Sequence, residues 1–236
     1  EGLQIRDVMT DEVQVLPVSG LAGAMAIGTL PWWLRLLEWL GQGPADGEAF
    51  LALAGLAMML IFAEQMLRGR TQDALRRVAC TLLAVAYLGA GGALMLLLRL
   101  RYGVPALVLF LAAVKFTDIG AYFTGSAIGR HKMIPWLSPG KSWEGLAGGL
   151  AAAAGVSLLV AWALPVASLS LGRAAAFGAV VGLAGQFGDL CESLLKRSCR
   201  VKDSGALVPE FGGLLDILDS PLLAAPVAYL LLGAML

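Results

Sequence analysis

Seven apolar stretches set the frame for this chain. They cover 15–34, 50–67, 78–98, 104–124, 145–166, 174–195 and 220–236. Each is close to the roughly 20 residues that a helix needs to cross a hydrocarbon core. Lipid offers no solvent for unpaired backbone groups, and no alternation of apolar and polar residues points to a barrel, so every stretch is expected to be a helix. Of the 236 residues 58% are hydrophobic and only 14% are charged, whereas soluble domains carry about 25% charged residues. A disordered chain, a basic nucleic-acid-binding protein and an ordinary soluble enzyme are thereby excluded. The expected fold class is all-α, a polytopic membrane bundle of about seven helices with a polar cavity facing the cytoplasm.

Charge orients the bundle. Lys plus Arg and Asp plus Glu number 17 each, and twelve of the 17 basic residues fall in alternate gaps, at 1–14, 68–77, 125–144 and 196–219. The positive-inside rule puts those gaps on the cytoplasmic side, and the chain is expected to be multi-pass, in the inner membrane if bacterial. The three cysteines, Cys80, Cys191 and Cys199, have no zinc or redox spacing. The chain starts at Glu1 without a signal-peptide pattern, as expected of a trimmed start. The pairs Gly145/Gly149 and Gly178/Gly182 are GxxxG spacings, whose first use is close helix packing.

Ionisable groups inside apolar spans are costly and usually functional. Lys115, Asp118 and Tyr122 lie at i, i+3 and i+7, on one helical face. Asp189, Glu192, Ser193 and Lys196 form a second polar stripe, on which Glu192 and Arg197 also fit simple pairing at a helix end. Asp216 and Asp219 form a DxxD pair, a spacing suited to Mg²⁺, which takes a few hard oxygen ligands and keeps waters and phosphates as the others. Lys202 and Asp203 precede a Ser-Gly turn, and Gly212-Gly213 permits close backbone approach to a ligand.

The gap 125–144 contains SPGKSWEG. It is not a Walker A loop, because the required first glycine is replaced by Pro135. Ser138, Lys141 and Ser142 nonetheless stand just before a helix N-terminus and suit an anion. His131, the single histidine, sits in a basic cluster with Arg130 and Lys132, where contact with headgroups or solvent is expected. Carboxylates for a metal, cations for phosphates and no nucleophile triad fit phosphoryl or nucleotidyl transfer to a lipid. A transporter is the rival from another class, but no inverted repeat accompanies the polar groups.

The residues that carry a family resemblance run from TDIGAYFTGSAIGRHK through SPGKSWEG to GDLCESLLKRSCRVKDSGALVPEFGGLLDILDS, about 114–225. This region resembles the phosphatidate cytidylyltransferases. Residues 1–113 then form an N-terminal helical region and 114–236 a C-terminal catalytic region, with the signature at 193–219. The resemblance implies transfer of CMP from CTP to phosphatidic acid, dependence on Mg²⁺ with room for a second, monovalent cation, a membrane-lipid setting, and a polytopic enzyme that is often a homodimer. It assigns metal binding to Asp216, Asp219, Asp189 and Asp203. It gives catalytic roles to these four with Lys196 and Lys202, phosphate or nucleotide contacts to Ser138, Lys141, Ser142 and Arg197, and a cavity position to Asp118. The chain departs from the family pattern at Glu210-Phe211, where Gly-His is usual, and at Ile217, where Arg is usual.

Overall fold

A computed structural model describes residues 17–39, 46–164, 166, 169–198 and 214–236. Helices α1 (Pro17–Trp39), α2 (Asp46–Leu67) and α3 (Ala74–Ala84) are followed by a π-helical turn at Val85–Ala90 and by α4 (Gly91–Ile128). A hairpin of β1 (Lys132–Ile134) and β2 (Ser138–Ser142) leads to α5 (Trp143–Ala163), α6 (Leu171–Ser198) and α7 (Leu214–Met235). The chain divides into two compact units, Glu1–Ala93 and Leu94–Leu236.

The chain is a helical membrane protein. Among the described residues four segments are long and apolar enough to span: Ala74–Ile128, Trp143–Ala163, Leu171–Ser198 and Leu218–Met235, with a shorter apolar helix at Leu51–Leu67. The sequence spans 78–98 and 104–124 lie in one helical run. That run holds 55 residues, which would reach about 80 Å as one straight helix, far beyond the roughly 30 Å of hydrocarbon. Gly103, at φ 85° and ψ 179°, leaves the helical region and breaks the run just ahead of Pro105. That backbone conformation is open to glycine and strained for other residues.

Two short strands lie in the connection between α4 and α5 of this otherwise helical chain. They pair antiparallel, Lys132 with Ser142 and Ile134 with Ser138. Gap 125–144 is therefore partly helix, because α4 runs on to Ile128, and partly hairpin.

In the first unit, Ile27, Ala57, Ile61, Val78 and Val85 form the buried core. Glu64, an acid in the apolar α2, accepts the Ser19 amide at 2.8 Å and pairs with Arg68 at 3.0 Å. It thus satisfies one of the amide donors that a helix start leaves without an intrahelical partner.

In the second unit, Leu98, Leu109, Phe110, Val114, Phe177, Val181 and Leu232 lie in the buried core. The GxxxG pairs pack helices, as their spacing suggested. A Cβ on Gly145 or Gly149 would overlap the carbonyls of Ala121 and Thr117 on α4. One on Gly178 would strike Ser157 and the Ala153 carbonyl on α5, and one on Gly182 would strike Thr117. Small residues thereby let α4, α5 and α6 approach backbone to backbone, which replaces the hydrophobic drive that lipid does not supply.

Candidate active site

The site is built where α6, α7 and the hairpin meet. Gly188 makes this possible. A Cβ there would stand 3.1 Å from the Ser220 Cα and 3.3 Å from the Asp219 carbonyl, so α7 lies directly on α6 at that turn. The next residue of α6, Asp189, and Glu192 one turn on are thereby brought to Asp219. One carboxylate oxygen from each of Asp189, Glu192 and Asp219 lies within 4.8 Å of the others. Glu192 is 2% exposed and Asp219 5%.

Two lysines hold this acidic cluster. The Lys196 Nζ lies 2.6 Å from Glu192 Oε2, one helical turn away on α6. The Lys141 Nζ reaches across from β2 to Asp189 Oδ2 at 2.7 Å, and also donates to the Gln186 carbonyl at 3.2 Å. Burying like charges together is unfavourable without such compensation. Asp118 on α4 accepts from Gln186 Nε2 at 2.8 Å. It also lies within electrostatic reach of Lys115, Asp189, Asp219 and Lys141. The polar faces of α4 and α6 therefore converge on one place.

The hairpin that presents Lys141 is pinned at its base. Glu144, in the first turn of α5, accepts the amides of Arg130 at 3.2 Å and His131 at 3.2 Å, and its Oε1 lies 2.5 Å from His131 Nδ1. The Trp143 amide donates to the His131 carbonyl at 3.0 Å. Ser142 caps α5, its Oγ accepting from the Gly145 amide at 3.1 Å. Such a cap stabilises a helix by about 1 kcal/mol. Ser142 is buried, and Cβ atoms added to Gly125, Gly129 or Gly145 would all crowd its hydroxyl. Ser138 opens β2 and is half-buried.

The structure thus gathers Asp118, Lys141, Asp189, Lys196 and Asp219 from the expected set. Asp216 lies in the first turn of α7, but its side chain and that of Ile217 fall outside the described residues. Lys202, Asp203, Glu210, Phe211 and Gly212-Gly213 also lie outside them. Arg197 is exposed near the end of α6. His131 is exposed as expected, with Glu144 as its partner. Gln186 is not singled out by the sequence, and Glu192 stands on the polar stripe with two readings open to it. Glu192 is a buried member of the acidic cluster, not a solvated residue at a helix end. Gln186, also buried, joins Asp118 to the Lys141 contact. The helical stripe Asp189-Glu192-Lys196 was the available signal for Glu192. For Gln186 it was the position three residues before Asp189 on the same face.

The donor set fits Mg²⁺. Carboxylate oxygens are its preferred protein ligands, and at about 2.1 Å from an octahedral ion two of them stand about 3–4 Å apart. The three oxygens lie within 4.8 Å of one another, close enough to be drawn onto one ion.

Comparison with known proteins gives the family. Residues 9–235 match the Cytidylyltransferase family. A phosphatidate cytidylyltransferase of Brucella suis is 42% identical over 137 residues, covering 55% of this chain and 47% of that protein. Its namesake in Bacillus subtilis is 34% identical, covering 94% of this chain and 81% of that protein. One in Pseudomonas aeruginosa is 36% identical, covering 91% and 70%. The chain spans about half the length of the Brucella relatives it matches. With a family match across nearly all of its residues, the chain belongs to the cytidylyltransferase family.

Proposed function

We propose that the protein transfers CMP from CTP to phosphatidic acid, giving CDP-diacylglycerol and pyrophosphate. The observation that carries this reading is the convergence of Asp189, Glu192 and Asp219 with Lys141 and Lys196, in a chain whose family is that of the cytidylyltransferases. The names of the relatives from Brucella suis, Bacillus subtilis and Pseudomonas aeruginosa supply the acceptor.

In the transfer, a phosphate oxygen of phosphatidic acid attacks the α-phosphorus of CTP. The bond from that phosphorus to the bridging oxygen breaks, and its electron pair leaves with pyrophosphate. The attacking oxygen is already anionic at neutral pH, so no strong general base is required, and charge neutralisation and in-line positioning are the main contributions. Asp189, Glu192 and Asp219 would hold Mg²⁺, with Asp216 and Asp203 completing the set. The ion, when bound, supplies Lewis-acid neutralisation of the triphosphate. Lys141, with Lys202 and Arg197, meets the phosphates, and Ser138 adds a donor at the hairpin. Ser142 supports that loop as a helix cap. Lys196 fixes Glu192. Gln186 and Asp118 line the cavity beneath Lys141. A second, monovalent cation and a homodimer belong to the same reading.

The helices cross the membrane seven times, with the break at Gly103 separating two crossings. The hairpin and the C-terminal end of α6 face the cytoplasm, where CTP is found. The twelve basic residues in the corresponding gaps support this orientation.

Purified protein in detergent should form CDP-diacylglycerol from CTP and phosphatidic acid in the presence of Mg²⁺, and lose that activity in excess chelator. Replacing phosphatidic acid by diacylglycerol should remove the product. Absence of any lipid nucleotide across a range of Mg²⁺ and lipid concentrations would reject the reading. Uptake of solute by proteoliposomes without nucleotide turnover would favour the transporter.

A further inference from the structure

The two lysines of the site are held in different ways. Lys196 and the Glu192 it neutralises stand one turn apart on the same helix, and Glu192 is almost fully buried. That pair moves as one piece with α6. Lys141 belongs to a different element. It hangs from β2, and its Nζ crosses to Asp189 on α6. The base of the hairpin is pinned by the Glu144 carboxylate and by the Ser142 cap. Next to Lys141, Gly140 has open space around it. The Lys141 side chain, a flexible four-carbon stem ending in a point charge, is thus held at its tip by Asp189 and the Gln186 carbonyl and not by its own element.

Its target is also less enclosed. The Asp189 side chain is 34% exposed, against 2% for Glu192. The ammonium takes Asp189 Oδ2, and Asp189 contributes an oxygen to the three-carboxylate cluster. A lysine and a divalent cation on that carboxylate repel one another, and at a few ångströms the repulsion is strong in a partly buried site. An ammonium released from Asp189 is still on the hairpin, beside the same cluster, where a nucleotide's phosphates would arrive.

We propose that Lys141 is an exchangeable counter-ion: it neutralises Asp189 until a divalent cation takes that carboxylate, and the displaced ammonium then binds the phosphates of the nucleoside triphosphate. Metal and nucleotide binding are thereby coupled through one side chain. The proposal rests on the metal site of the proposed function and adds an order and a cost to its filling.

Mg²⁺ binding measured by titration calorimetry on the purified protein in detergent, without nucleotide, tests it. Lys141→Met removes the competitor and should bind Mg²⁺ at least about fivefold more tightly than the wild type. Lys141→Arg holds a carboxylate through two parallel bonds and should bind Mg²⁺ at least about threefold more weakly. The Met variant should also raise the KM for CTP by about tenfold or more, so that its two affinities move in opposite directions. Unchanged or weaker Mg²⁺ binding in Lys141→Met would overturn the proposal, since a lysine that merely shapes Asp189 predicts a loss. If the Met variant does not fold, the Arg variant decides: binding equal to or tighter than wild type overturns it. Asp219→Asn separates the underlying reading. Wild-type Mg²⁺ binding that this variant leaves untouched, or no binding in the wild type, rejects the metal site itself and the proposal with it.

Discussion

Asp219→Asn is expected to lower turnover by roughly a thousandfold, about 4 kcal/mol at 1.36 kcal/mol per decade. Its carboxylate stands on α7 against Asp189 and Glu192 of α6. The substitution keeps shape and removes the charge that a hard cation requires. The fold should survive, because the backbone contact that joins the two helices runs through Gly188 and does not use the Asp219 side chain. Steady-state rates at saturating CTP, with melting temperature measured alongside, check both halves. Turnover within about tenfold of wild type would remove Asp219 from the site.

The second large effect concerns stability. Glu192→Leu should destabilise the protein by about 3–5 kcal/mol, because Lys196 keeps its charge among helices after losing the carboxylate 2.6 Å away. Lys196→Met alone should act similarly, by leaving Glu192 among two other carboxylates. Combining Glu192→Leu with Lys196→Met removes both charges, and should recover most of the lost stability while the enzyme stays inactive. Denaturation midpoints of the two single variants and the double variant give the coupling directly. If the double variant loses as much as the two single variants together, the ion pair does not organise α6. If the double variant is active, Glu192 is not part of the catalytic cluster.

Much of the site was legible in sequence for a physical reason. Helical periodicity puts Asp189, Glu192 and Lys196 on one stripe and Lys115 with Asp118 on another, and the structure brings the two stripes together through Gln186. Small-residue spacing announced which helices approach closely, and Gly149, Gly178 and Gly182 are where they do. The depth of Glu192 was not legible. A glutamate four residues before a lysine at a helix end looks like a solvated pair, and its burial depends on tertiary packing that periodicity does not reveal. The hairpin was not legible either. Its strands are short, SPGKS has little strand character, and its closure depends on Glu144 returning to the amides at Arg130 and His131. The break near residue 100 was marked by Arg99 and Arg101 as a gap between apolar stretches, yet the helix continues through both arginines and turns at Gly103.

The position of a radioactive label distinguishes nucleotidyl transfer from phosphoryl transfer. Protein is incubated with phosphatidic acid, Mg²⁺ and CTP labelled on either the α- or the γ-phosphate. Nucleotidyl transfer places the α-label in the lipid and the γ-label in pyrophosphate. Lipid labelled from the γ-phosphate would mean phosphoryl transfer by a CTP-dependent lipid kinase, and would overturn the assignment of a cytidylyltransferase.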